Sequence, residues 1–333
     1  MIDRLSLYDT IYELAAREGC DQALFGSCAP LARTAFQRSL IGEGFPVVWF
    51  EVPLAGKPRF DLHVALSRET LHEGAQFLPH AGNGYDELFR WYSEQEEGGG
   101  GLAFAYDVGE GRIDNPAVHV NVNGAPLADM DRFFDLAGGA GTAERYAGFA
   151  SRLPQGWHVW YAGVHPGRPG SPVRVDCFVD AGLKDAYATD ISLLENDLAA
   201  CGFEATGPAL PGLARPPLDS PFGLELQFDV MPDGSLGPTL GISAAFSLRT
   251  AHAMRPLFEE GGPAAELLSA VERLELADDR WRRIPDAMFS KLVPADGTVL
   301  ALYCAPTFVK LRMRDGQPLD AKVYLQAEAS TLG

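Results

Sequence analysis

Two short stretches carry much of the chemistry this chain can offer. In Arg59-Phe60-Asp61-Leu62-His63-Val64, Asp61 and His63 stand two residues apart, with Glu51 on the apolar run just before. In Ala321-Lys322-Val323-Tyr324-Leu325, Lys322 and Tyr324 have the same spacing. A strand repeats every two residues, so each pair projects from one face. A carboxylate on a partly dry face has a raised pKa and can take a proton or hold Mg²⁺. Asp61 and Glu51 are therefore the acid–base candidates, and Asp61 is the candidate Mg²⁺ ligand. Lys310 and Arg312 repeat the two-residue spacing, and Arg174 stands between Val173 and Val175. With Lys322 they are the cations available to an anionic group. His63 and His119 can reach a shared point across neighbouring hairpins, but no third ligand of fixed spacing completes a metal set. Trp49, Tyr161 and Phe178 either line a pocket or belong to the core. For every charged candidate, Glu225 included, the alternative is a solvated strand face.

Composition narrows the classes. Hydrophobic residues make up 47% and charged residues 22% of the 333, values of a globular chain with a sizeable core. Asp+Glu number 45 against 27 Lys+Arg, a net charge of −18. Nucleic-acid binding needs a basic face, and so does binding to anionic membranes; neither is expected. The start, Met-Ile-Asp-Arg-Leu-Ser, has no signal-peptide pattern, and no run of 18 apolar residues spans a membrane. Five scattered cysteines without a CxxC pair read as reduced thiols in a cytoplasmic protein. Gly138-Gly139-Ala140-Gly141-Thr142 lacks the GK[ST] ending of a phosphate loop and reads as a helix–helix break.

The elements that must position these residues recur as strand pairs between helices. The pairs are Pro46–Pro53 with Arg59–Ser67, Leu102–Asp107 with Ala117–Asn123, and Trp157–Val164 with Val173–Val179. Leu224–Val230 with Thr239–Leu248 and Phe308–Met313 with Ala321–Leu325 complete the set. Most alternate cleanly, as in Val173, Val175, Cys177 and Val179 against Arg174, Asp176 and Phe178. Gly- and Pro-bearing turns join them as hairpins. Val299–Tyr303 is a further strand or a helix end. Helices are expected over Ile2–Glu18, Ala29–Leu40, Glu69–Tyr92, Asp129–Ala150, Leu183–Ala200 and Ala253–Leu276. Short turns join only antiparallel neighbours, which excludes a Rossmann or TIM scheme. Ten strands with one apolar face each are best satisfied by closure. The fold expected is a single domain over 1–333: a closed antiparallel barrel with helices outside and a polar lumen.

This order of elements resembles the αββα prenyltransferase barrel, the family of bacterial aromatic prenyltransferases and the dimethylallyl-tryptophan synthase group. Arg59–Val64 resembles the family's early strand with an inward carboxylate. Ala321–Leu325 is similar to its Lys-x-Tyr strand, and Phe308–Gly316 to the strand and turn before it. The resemblance implies transfer of an allylic group from its diphosphate to an electron-rich aromatic acceptor in secondary metabolism. The acceptor would be an indole, a phenol or an aromatic side chain of a peptide. Lys310, Arg312, Lys322 and Arg174 would then hold the diphosphate, Tyr324 would shield the allyl cation, and Asp61 or Glu51 would take the proton. A cytoplasmic monomer, with Mg²⁺ as the one cofactor to consider, is implied.

One departure from the family bears on the chemistry. The residues expected to face inward are Arg59, Arg174, Lys310, Arg312 and Lys322 against Glu51, Asp61, Asp176, Glu225 and Asp229. That balance has no surplus cation for a diphosphate of about three negative charges. Two other readings therefore stand beside the first. One is acid–base chemistry on a neutral or cationic substrate in the same lumen; the other is a non-catalytic binder of a metabolite or peptide.

Overall fold

The computed structural model describes residues 4–17, 19–39, 45–66, 85–94, 101–122, 127–204, 206–247, 250–295 and 298–332. Strands β1 (Val47–Pro53), β2 (Asp61–Leu66), β3 (Leu102–Tyr106), β4 (Ala117–Asn121), β5 (Trp157–Val164), β6 (Val173–Val179), β7 (Gly223–Val230) and β8 (Leu236–Ala245) follow one another around a single sheet. After them come β9 (Phe289–Ala295), β10 (Thr298–Arg314) and β11 (Gln317–Leu332). β11 pairs with β10 on one edge and with β1 on the other, so ten antiparallel strands close. This is the barrel expected from the sequence. Helices case its outside.

Alternation decides which way each wall residue points. On β2, Leu62, Val64 and Leu66 are fully buried against the helices, whereas Asp61, His63 and Ala65 are partly open to the interior. Val175, Leu226 and Val323 are buried on the same outer face. Each large apolar side chain placed there contributes about 1.5–3 kcal/mol. Behind β1, Phe50 and Phe60 pack edge-on against Phe25, from the segment after the first helix. Within the wall, glycine is required where a ring lies flat on the sheet. A Cβ on Gly163 would stand 2.5 Å from His119 Nδ1 and 2.6 Å from the Val118 carbonyl.

The last hairpin turns on Asp315 and Gly316, both at positive φ (51° and 72°), as a two-residue turn between twisted strands demands. Its register sets Lys310 directly opposite Lys322. The turns joining β1 to β2, β3 to β4, β5 to β6, β7 to β8 and β10 to β11 lie at one end of the barrel, because successive strands are antiparallel neighbours.

The structure corrects several expectations. Val299–Tyr303 belongs to β10, which runs through to Arg314 with a register shift between Pro306 and Phe308. β9 was not foreseen; it extends the wall along the first half of β10, beyond the end of β8. The helix expected over Leu183–Ala200 is two, Ala181–Thr189 and Ile191–Ala200, because Asp190 accepts from the Ser192 N–H and caps the second. The break expected at Gly138–Thr142 within Asp129–Ala150 is present, at Gly139 and Gly141, both at positive φ. The helix expected over Ala253–Leu276 becomes Ala251–Met254, a 3₁₀ turn, and Pro263–Arg273. Of Glu69–Tyr92, most lies outside the described residues; the helix there spans Asp86–Glu94. No helix among the described residues is long and apolar enough to cross a membrane.

Candidate active site

The lumen holds a cavity of about 700 Å³. Every site residue named from the sequence lines it: Glu51, Asp61, His63, Trp49, His119, Tyr161, Arg174, Phe178, Glu225, Lys310, Arg312, Lys322 and Tyr324. Arg59 does not. It precedes β2, and its side chain packs over Gly109 in the β3–β4 connection.

Register orders the wall in layers along the barrel axis. Nearest the hairpin turns stand Asp61, Arg174 with its cross-strand partner Asp229, Arg312 and Lys322. A middle layer holds Glu51, His63, His119, Asp176, Gln227, Lys310 and Tyr324. Towards the helix connections lie Trp49, Trp160, Tyr161, Phe178, Phe246 and Phe308, with Glu225 and Gln326 among them.

Two lysine stations face each other on β10 and β11. Lys322 is ion-paired with Glu51 and lies 3.8 Å from Asp61. Glu51 also meets His63 Nε2 at 3.0 Å. Burial opposes the charge on Glu51, but the Lys322 ammonium and His63 hold its carboxyl well below the usual range. Asp61 accepts a 2.9 Å hydrogen bond from the Gly109 N–H. Burial, with the Glu51 charge beside it, pushes Asp61 up to about 6. At the second station, Lys310 Nζ lies 3.5 Å from both Asp176 and Glu225 and 5.1 Å from the centre of the Tyr324 ring. Gln227 donates to Asp176 at 2.6 Å, and the Ser243 hydroxyl to Glu225 at 3.3 Å. Burial pushes Glu225 up to about 7 against the pull of Lys310, with the Asp176 charge adding to the rise. Asp61 and Glu225 are thus poised to exchange protons near neutrality, while Glu51 serves to hold Lys322 and His63.

The turn-end arginines are each held by an acid. Arg174 makes a two-pronged pair with Asp229 at 2.8 and 3.0 Å, and Arg312 grips Asp320 in the same way. Arg168, in the β5–β6 turn, reaches Asp107 at 3.3 Å, and Arg112 reaches it at 2.9 Å. Among the described residues, all six cations lining the cavity are therefore paired with carboxylates. His119 and His165 are buried with their rings 5.0 Å apart, and Nε2 of each has no hydrogen-bond partner. Burial first, then nearby cations, keeps both well below the usual histidine range and neutral.

His165, Arg168, Asp107 and Trp160 went unnamed as site residues in the sequence. The first three sit at or beyond strand ends, where no alternation tells inside from outside. Trp160 turns inward at a register shift between Val159 and Tyr161. A resident Mg²⁺ at Asp61 does not fit this donor set. The Lys322 ammonium already stands between Asp61 and Glu51, and among the described residues no group of three or more His, Cys, Asp or Glu could hold a metal ion.

No family model matches the chain, and no curated protein does. Eighteen chains of solved structure match. One is AnaPT from Neosartorya fischeri, 10% identical over 100% of this chain and 89% of that one, with a TM-score of 0.47. At that identity and score the likeness assigns no activity.

Proposed function

We propose that the lumen is the active site of an aromatic prenyltransferase. The supporting observation is the layering: arginines and Lys322 with Asp61 at the turn end, histidines, Lys310 and Tyr324 in the middle, and aromatic rings with Glu225 at the far end. An allylic diphosphate and an aromatic acceptor, stacked head to tail, present the complementary order. Arg168, Arg174, Arg312 and Lys322 meet the diphosphate oxygens. The allylic carbon–oxygen bond breaks, and its electron pair leaves with the diphosphate. Tyr324, edge-to-face with His63 and Phe308 at 5.8 and 6.1 Å between ring centres, offers a π face to the cation. The acceptor ring, an indole, a phenol or an aromatic side chain of a peptide, lies among Trp49, Trp160, Tyr161 and Phe178. A ring carbon forms the new carbon–carbon bond, and its proton passes to Asp61.

The pairing of all six lumenal cations favours a second reading. There the lumen takes a neutral or cationic substrate and uses Asp61 and Glu225 for proton transfer with no diphosphate. Calorimetric titration with dimethylallyl and geranyl diphosphate separates the two. Saturable binding, followed by alkylation of an indole or phenol, supports prenyl transfer; no binding of either diphosphate removes it and leaves the second reading.

A further inference from the structure

Outside the barrel, where β9 begins, a second cavity of about 300 Å³ is walled by Arg17, His252, Arg255, Lys291, Leu14 and Phe289. Acids outnumber bases 45 to 27 in the chain, yet the charged side chains on this wall are all basic. They come from three distant segments: the end of the first helix, the 251–258 turn, and β9. Arg255 is fixed by donating to the Met288 carbonyl at 2.7 Å, which leaves the rest of its donor fork free for an anion. Among the described residues the side chains of Arg17 and Lys291 have no ion-pair or hydrogen-bond partner. The contrast with the lumen is direct, because each cation there faces a carboxylate. Convergent, unneutralised cations on an acidic protein concentrate anions locally despite the overall field.

The rest of the wall narrows the ligand. Phe289 is buried at the base of the cavity and Leu14 half-buried beside it, so an apolar floor lies under a cationic rim. The volume is at the small end of ligand pockets. Three permanent cations exceed what one carboxylate would neutralise, whereas a phosphate dianion engages several donors at once. We propose that this pocket is a binding site for a small organic phosphate. Arg17, Arg255 and Lys291 take the phosphate, His252 adds a donor, and the organic part rests on Phe289 and Leu14. Such a ligand ties the first helix to β9 and stabilises the casing by mass action.

The test is titration of the full chain with n-hexyl phosphate and with inorganic phosphate, at low and at high salt. The proposal expects one saturable site outside the lumen, weakened by salt, with hexyl phosphate bound about tenfold tighter or more because its chain covers Phe289. The double variant Arg17→Glu, Lys291→Glu changes two exposed side chains, and its urea midpoint reports that the fold is kept. It should weaken both probes about tenfold or more, while quenching of the lumenal tryptophans by dimethylallyl diphosphate stays as in the parent. Unchanged phosphate binding in the variant would place the probes in the lumen and overturn the proposal. No saturable binding of either probe would overturn it too, and equal affinity for the two would overturn the assigned ligand class.

Discussion

Glu225→Gln tests the electrostatics of the lumen without any substrate. Glutamine has the shape of the protonated acid and can still accept from Ser243 and Lys310, so the substitution removes only the capacity to ionise. The ordinary glutamate value of 4.5 rises to about 7 in the fold. A carboxylate whose folded pKa is raised binds more protons folded than unfolded, so its presence lowers stability as pH rises through that window. Forcing Glu225 to ionise by pH 8 costs about 3 kcal/mol, and roughly three-quarters of that accrues between pH 5 and pH 8. Urea unfolding of parent and variant at both pH values gives the answer as a difference of differences, in which the intrinsic effect of the substitution cancels. The variant should gain about 2–3 kcal/mol over the parent on going from pH 5 to pH 8. An equal stability difference at the two pH values would mean that Glu225 titrates where an exposed glutamate does, and the proton-exchange role argued for it would fall.

Three further outcomes follow from the same geometry. Lys322→Ala leaves Glu51 buried without its ammonium and should cost about 3 kcal/mol or more in urea unfolding; adding Glu51→Gln should return most of that. Asp61→Asn should keep diphosphate and acceptor binding but lose turnover if Asp61 takes the proton, and the parent's activity should fall as pH drops through about 6. Diphosphate binding should take up protons near pH 7, measured as a buffer-dependent calorimetric enthalpy, because Glu225 can neutralise and release Lys310. A binding heat independent of the buffer would refute that exchange.

The wall of the barrel was legible because a period of two is read directly from residue types. Val173–Val179 and Leu224–Val230 announce both the buried face and the residues opposite it. Closure followed from counting hairpins. Where alternation stops, reading failed. Arg59 was placed inward by extending the β2 pattern two residues beyond its start at Asp61. β9, Phe-Ser-Lys-Leu-Val-Pro-Ala, carries a proline and no clean alternation, and as an edge strand it has exposed residues on both faces, Lys291 and Leu292 among them. The inward reach of His165 and Arg168 depends on how a Pro/Gly turn folds back over the barrel mouth. Pairing was beyond the sequence as well: Lys322 meets Glu51 across the closing seam, 271 residues away along the chain.

That seam explains why the charges balance. Lys310 and Lys322 face each other on adjacent strands, an arrangement that is unfavourable for like charges. Buried together they are tolerable only because each has its own two carboxylates, Glu51 and Asp61 on one side, Asp176 and Glu225 on the other. Each station pairs its lysine with one carboxylate pushed up towards neutrality, Asp61 at about 6 and Glu225 at about 7. A strongly acidic partner holds its cation against an arriving anion, as Glu51 holds Lys322, and no partner at all would leave an unpaired buried charge. Glu225, near its pKa, does neither: it helps to neutralise Lys310 while the lumen is empty and yields it, for one proton, when an anion arrives. The even charge count is therefore compatible with a diphosphate site in which protons, supplied from solvent at neutral pH, provide the missing positive charge.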